Sequence, residues 1–236
     1  MKSPIITSMD KKIGLIVYAR TGSKRFPNKV TTNIYQNKKL LEIILEKLKT
    51  SKFNHNIIVA TTDKKRDKKI INICKSYGVE FFRGSENNVF LRTQKCIKRF
   101  KLDYFARICG DRPLLDVVLM DKMIKLILKK KYDIVTNALV KSYPKGLTCE
   151  VANCKIFKNI NSKSLLPSEK EHLFNFFYKK KRYKIENLKK KFNKKFININ
   201  FSIDTKNDLK RIKKIISNFD RKKLKLSSSN LYRLYK

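Results

Sequence analysis

Five short apolar runs, spread over the first 137 residues and separated by amphipathic stretches, constrain this chain more than any other feature. The runs are Ile13–Tyr18, Asn56–Thr62, Gly78–Phe82, Tyr104–Cys109 and Tyr132–Asn137, and their β-branched and aromatic content reads as strands. The first gap holds a helix over Lys39–Lys49, with Leu41, Ile44, Leu45 and Leu48 on one face. A second helix is expected through about Ser76, with Asp63 as its cap and Ile70, Ile71 and Cys74 as its apolar stripe. Two more follow, from about Val89 to Phe100 and from Asp116 to Lys130. Strands that are apolar throughout call for cover on both faces. With strict strand–helix alternation, that predicts an α/β fold built on a mostly parallel, doubly wound sheet. Such sheets bind ligands beyond the carboxyl ends of their strands. The segments Ala19–Lys29, Arg83–Gly84 and Gly110–Asp111 all fall at such ends.

Beyond residue 137 the alternation breaks. Tyr143-Pro144-Lys145-Gly146 reads as a turn, Leu147–Asn153 as a strand, and Ser168–Tyr178 as a helix. Lys179–Lys195 is strongly basic and poorly patterned. Phe196–Ile203 alternates like a half-buried strand, and a helix is expected from about Lys206 to Asn218. Residues 1–12 read as a polar leader and 221–236 as a mobile basic tail. The expected organisation is a single domain spanning 1–236. Its core covers about 13–137 and 196–219, with a smaller α+β insertion at about 138–195.

The balance of 58 Lys+Arg against 19 Asp+Glu gives a net charge of +39, which by itself points to polyanions. The excess is mostly Lys, spread from end to end, and the aromatics do not interleave with it as in an RNA-binding sheet. Weak adhesion to polyanions is expected, and no specific nucleic-acid partner. The five cysteines include no CxxC pair, so neither a disulfide framework nor a zinc ribbon is indicated. Cys74, Cys96 and Cys109 read as buried thiols, while Cys149 and Cys154 flank a strand with no histidine nearby to complete a metal set. No apolar run is long enough to enter and cross a membrane, and no signal-peptide core is evident, so a cytoplasmic protein is expected.

The loop Ala19-Arg20-Thr21-Gly22-Ser23-Lys24-Arg25-Phe26-Pro27-Asn28-Lys29 follows the first strand directly. Gly22 lets the backbone approach a ligand, and Arg20, Lys24, Arg25 and Lys29 can neutralise a triphosphate. The loop lacks the second Gly of a P-loop and the Gly-x-Gly of a dinucleotide fingerprint. Asp111 and Asp204 each close a strand, and Mg²⁺ takes one or two carboxylates together with phosphate oxygens and waters. Either aspartate also suits a helix N-cap, Asp204 especially, with Thr205 and Asp208 beside it.

Ala19-Arg20-x-Gly22-Ser23-x-Arg25-x-Pro27-x-Lys29 resembles the signature loop of the cytidylyltransferases that activate acidic sugars, the CMP-Kdo and CMP-sialate synthetase group. The SpsF-like branch, of surface and spore-coat polysaccharide pathways, is the most similar. The segments Ile58–Thr61, Phe82–Glu86, Arg107–Leu114, Tyr143–Val151, Glu171-His172 and Asp204–Leu209 follow that branch in the same order. The resemblance implies a nucleotide-diphosphosugar-transferase-like, Rossmann-like fold and the reaction CTP + sugar → CMP-sugar + pyrophosphate. It implies that Arg20 and Lys29 hold the phosphates, alongside Ala19, Gly22 and Ser23, and that Asp111 and Asp204 hold Mg²⁺. Arg83 would face the base, and Tyr143, Lys145, Glu150 and His172 the sugar. In relatives the later segment also carries a dimer contact, which implies a homodimer. The sequence departs from the pattern at Phe26, Asn37–Leu40, Asn87–Val89, Thr93 and Lys170. These departures spare the triphosphate end and leave the sugar open. Two alternatives stand beside this reading: a same-fold enzyme using another base or a non-sugar acceptor, and a non-catalytic nucleotide- or polyanion-binding protein.

Overall fold

A computed structural model describes residues 11–235; the expected N-terminal leader lies almost wholly outside them. The strands are β1 (Ile13–Tyr18), β2 (Asn33–Tyr35), β3 (Lys38–Lys39), β4 (Ile57–Thr62), β5 (Glu80–Gly84), β6 (Tyr104–Cys109), β7 (Ile134–Thr136), β8 (Glu150–Asn153) and β9 (Ile185–Asn187). The long helices are α1 (Leu40–Lys49), α2 (Lys68–Ser76), α3 (Val89–Phe100) and α4 (Val117–Lys130). They are followed by the short α5 (Lys155–Lys158), α6 (Pro167–Glu171), α7 (Asn175–Tyr178) and α8 (Lys194–Ile197), then α9 (Lys206–Arg221) and α10 (Ser228–Tyr235).

The sheet runs β5-β4-β1-β6-β8-β7-β9, with β2 and β3 forming a separate hairpin. Its first four strands are parallel; β8 is antiparallel to both neighbours, and β7 and β9 are parallel to each other. The mostly parallel, doubly wound α/β sheet is therefore present. Successive side chains on a strand take opposite faces. Leu15, Val17, Val59, Ala106 and Ile108 join one core with α1, α2, α4, α9 and α10. Ile16, Ile58, Ala60 and Phe105 join the other, beneath α3 and α5–α7. This two-sided burial is why β1 and β4 read as unbroken apolar runs.

Several expectations from the second half are corrected. Phe196–Ile203 is not a strand: Asn193 caps α8 through Phe196 N, and beyond it only Asn200 bridges to Lys145. The expected helix Ser168–Tyr178 is two short helices, with His172 ending the first. The basic connection Lys179–Lys195 contributes β9 to the sheet edge. The tail is not free, because α10 buries Leu231 completely and sets Tyr232 against Phe192 and Phe196, 4.9 and 5.1 Å between ring centres. Asp63 caps nothing; a 3-10 turn over Lys65–Asp67 precedes α2. Cys74, Cys96, Cys149 and Cys154 are buried free thiols, and burial pushes Cys74 and Cys96 up to about 12.

Candidate active site

The loop after β1 is fixed from beneath. Asp67 is wholly buried and accepts hydrogen bonds from the amide of Thr21 at 2.8 Å and from the hydroxyls of Thr21, Thr61 and Thr62. Burial alone would raise this carboxyl, and the donated bonds outweigh it, holding its pKa below the usual value. The Thr21 carbonyl in turn accepts from Ser23 and Asn28, both at 2.9 Å. Asn28 takes a left-handed conformation at φ 58°, and the chain turns into a 3-10 turn that starts at Lys29. Over Gly22 lies the Arg66–Glu86 ion pair, and a side chain in place of Gly22 would collide with both of its members.

Lys29 reaches across the sheet end. Its Nζ lies 2.9 Å from Asp111 Oδ2 and 3.4 Å from Asp204 Oδ1, and donates to the carbonyl of Ile203 at 2.8 Å. Asp204 also receives Arg25 at 3.0 Å and Lys145 at 2.6 Å. Burial pushes the Asp204 carboxyl up, but Lys145, Lys29 and Arg25 overcome that and bring it down to about 2. Neither aspartate caps a helix. Asp116 caps α4 through Leu119 N, and Thr205 caps α9 in a reciprocal box with Asp208. Both are left for other chemistry.

These groups open on a cavity of about 1000 Å³ at the carboxyl ends of β1 and β6. The structure brings Ala19, Arg20, Gly22, Ser23, Lys29, Asp111, Lys145, His172 and Asp204 to its wall. Three expected residues lie elsewhere. Arg83 shares the α2 face of β5 with Phe81 and donates to the carbonyl of Asp63 at 2.6 Å. Tyr143 is buried edge-on against Phe192, with ring centres 5.5 Å apart. Glu150 is buried on β8, where it accepts from Arg107 Nη1 at 2.9 Å and Tyr178 Oη at 3.3 Å, so it stands behind a wall residue. Arg92, Arg107 and Arg112 also line the cavity, although the sequence assigned none of them a role. One signal was available: on α3, Arg92 falls among Phe90, Thr93, Cys96 and Ile97, a charge on an otherwise apolar stripe.

Among the described residues no three His, Cys, Asp or Glu side chains form a metal cluster. Asp111 and Asp204, both within reach of one ammonium, fit a hard cation that takes the rest of its shell from phosphate and water.

A doubly wound sheet whose first loop gathers cations onto two aspartates, one after β6 and one just before α9, defines a nucleotidyltransferase-like α/β protein. The cytidylyltransferase family model matches residues 15–231, and the chain belongs to that family. An uncharacterized protein of Methanocaldococcus jannaschii is 38% identical over 214 residues, 89% of this chain and 85% of that one. The spore coat polysaccharide biosynthesis protein SpsF of Bacillus subtilis is 31% identical over 206 residues, 84% of this chain and 83% of that one. A cytidylyltransferase from Leptospira borgpetersenii superposes with a TM-score of 0.81 at 30% identity, covering 89% of this chain and 88% of that one. A CMP:2-keto-3-deoxy-manno-octonic acid synthetase complexed with CTP shares the fold, with a TM-score of 0.65 at 13% identity over 88% and 99% of the two chains. No helix among the described residues is long and apolar enough to cross a membrane.

Proposed function

We propose that the protein is a Mg²⁺-dependent cytidylyltransferase that activates an acidic sugar with CTP, releasing CMP-sugar and pyrophosphate, for a surface polysaccharide or glycan. The observation that carries this reading is Lys29, held between Asp111 and Asp204 at the mouth of a cation-rich loop. A sugar hydroxyl oxygen forms a bond to the α-phosphorus while the bond from that phosphorus to the β-bridging oxygen breaks. The hydroxyl proton leaves to solvent, and pyrophosphate takes the electron pair. Catalysis of this kind is mainly positioning and charge stabilisation. Arg20, Lys24, Arg25 and Lys29 supply positive charge for the phosphates and for the pyrophosphate as it departs, and backbone at Gly22 and Ser23 can approach them closely. Asp111 and Asp204 would hold Mg²⁺, which when bound supplies Lewis-acid stabilisation of phosphate charge. Lys145 and His172 lie toward the acceptor on this reading.

A cytoplasmic homodimer goes with the proposal. Leu139 and Val140, each 43% exposed on the segment before Tyr143, support a contact between copies there. The test is to incubate the protein with CTP, Mg²⁺ and mixed sugar acids and look by mass spectrometry for a CMP-sugar. Its formation supports the proposal, and hydrolysis or no product under conditions where CTP binds contradicts it.

A further inference from the structure

The cavity has a second cationic wall that the triphosphate chemistry leaves unused. On β6, Phe105 belongs to the core beneath α3 and α5–α7, so Arg107, two residues on, shares that face. Tyr18 shares it on β1, following Ile16 by two residues. Val30, next to Lys29, belongs to the opposite core, as does Ile203, next to Asp204. Arg92 on α3 and Arg107 therefore line the cavity on the far side of the sheet edge from the Lys29–Asp111–Asp204 cluster. Residues of α6 flank this side, Lys170 and Glu171 among them, with His172 at the helix end.

The charges on this wall are unevenly matched. Arg107 is paired with Glu150. Arg92 is only 3% exposed and forms no ion pair among the described residues. Its Nη1 donates to the carbonyl of Ser85 at 2.6 Å, and its Nε has no acceptor among the described residues. Asp67, the acid that acts on it, is already saturated by Thr21, Thr61 and Thr62, and Arg20 repels it. The two glutamates on this side are engaged, Glu86 by Arg66 and Glu171 by Arg20 at 3.5 Å. Among the described residues the Arg112 guanidinium bonds only to the carbonyl and hydroxyl of Thr148. A buried guanidinium facing neutral oxygens is costly to hold, and an arriving anion relieves that cost.

We infer that Arg92 is the residue that selects the acceptor: it pairs with an anionic group on the sugar, carboxylate or phosphate, and an uncharged acceptor is rejected because it leaves the guanidinium unpaired. The inference rests on the nucleotidyl-transfer reading of this cavity. It assigns the substrate's charge to a residue on α3, 72 positions downstream of Arg20 and on the far side of the sheet edge from the Lys29–Asp111–Asp204 cluster.

The experiment measures pyrophosphate release with CTP and Mg²⁺ against a 2-keto sugar acid, a sugar phosphate and the uncharged counterpart of each. The wild type should prefer at least one anionic acceptor, and the arm that responds tells carboxylate from phosphate. Arg92→Met should shrink that preference roughly ten- to hundredfold, through acceptor KM, with KM for CTP unchanged. Arg92→Lys keeps the charge and should retain part of the preference. Should the Met variant fail to fold, the Lys variant and the wild-type preference still decide. Equal use of charged and uncharged acceptors by the wild type overturns the inference, as does silence with every anionic acceptor. So does an Arg92→Met variant that loses both acceptor classes in equal proportion. Thermal stabilisation by CTP, read on the same samples, separates the two claims: if no nucleotide stabilises the wild type, it is the nucleotidyl-transfer reading that fails.

Discussion

Lys29 and Asp111, 82 positions apart in the chain, meet at 2.9 Å where β1 and β6 end side by side. Parallel pairing in register, Tyr18 opposite Cys109, brings the two following loops to one edge. The contact is thus a direct product of the sheet, and it places an ammonium on the carboxylate that a divalent cation would have to share.

Replacing Lys29 separates function from stability. In Lys29→Met, Asp204 keeps Arg25 and Lys145, while Asp111 loses its ion-pair partner among the described residues. The free energy of unfolding should fall by no more than about 1.5 kcal/mol. The rate constant kcat/KM for CTP should fall by about two orders of magnitude, as for loss of one preorganised charge donor. Urea unfolding and pyrophosphate release on the same preparations check both.

Acid should expose the contribution of Asp204. Its folded pKa, about 2, lies below the reference value of 3.8, so its stabilising effect is present above pH 4. That contribution is lost as the pH falls from about 4 towards 2. Asp204→Asn leaves three cations around an uncharged amide and should be less stable than the wild type at neutral pH. The gap should close as the pH approaches 2. Urea midpoints of both proteins at pH 7, 4, 3 and 2 test this, and a gap that stays constant contradicts it.

Gly146 sets the height of Lys145. Its φ is +96°, and a Cβ there would stand 2.6 Å from the amide of Ser202. The Phe201 amide donates to the Lys145 carbonyl at 2.7 Å, so the strain would reach the Lys145–Asp204 pair directly. Gly146→Ala should destabilise by about 2 kcal/mol or more and reduce turnover as well. Denaturant titration and steady-state kinetics provide the check.

The C-terminal helix should behave as core. Leu231 is wholly buried, and the amide of Ser228 donates to Asp116, the cap of α4, at 2.8 Å. Leu231→Ala should cost about 2–5 kcal/mol, the range for a buried leucine that leaves a cavity. A change within 0.5 kcal/mol would mean α10 contributes little.

These elements also mark where the sequence could and could not be read. Up to residue 137 the inner strands β1 and β4 are covered on both faces, so they stand out as apolar runs. The helices between them are long enough for a 3.6-residue stripe to declare itself. After that, α5 to α8 are four or five residues long, too short for any period. Ile197, Ile199, Phe201 and Ile203 alternate with Asn198, Asn200 and Ser202 by coincidence, because Asn193 starts a single helical turn that ends at Ile197. In α10 the buried Leu231 is masked by the Ser, Asn and Arg around it. The residues proposed to hold phosphates were legible because one loop carries most of them contiguously. Arg92 carried only the signal of a charge on a largely apolar stripe; that it forms no ion pair among the described residues emerges from the packing. Arg83 sits on an edge strand, where it donates to the Asp63 carbonyl outside the cavity wall.

The most direct measurement is pyrophosphate release by the wild type with Mg²⁺ and each of CTP, UTP, ATP and GTP over a panel of sugar acids, repeated with Asp111→Ala and Asp204→Ala. Release that requires a sugar acid, selects CTP and vanishes in both variants while their folds persist is the predicted result. Release that is indifferent to the base or survives both substitutions would contradict the account, as would a wild type that neither turns over nor binds any nucleotide.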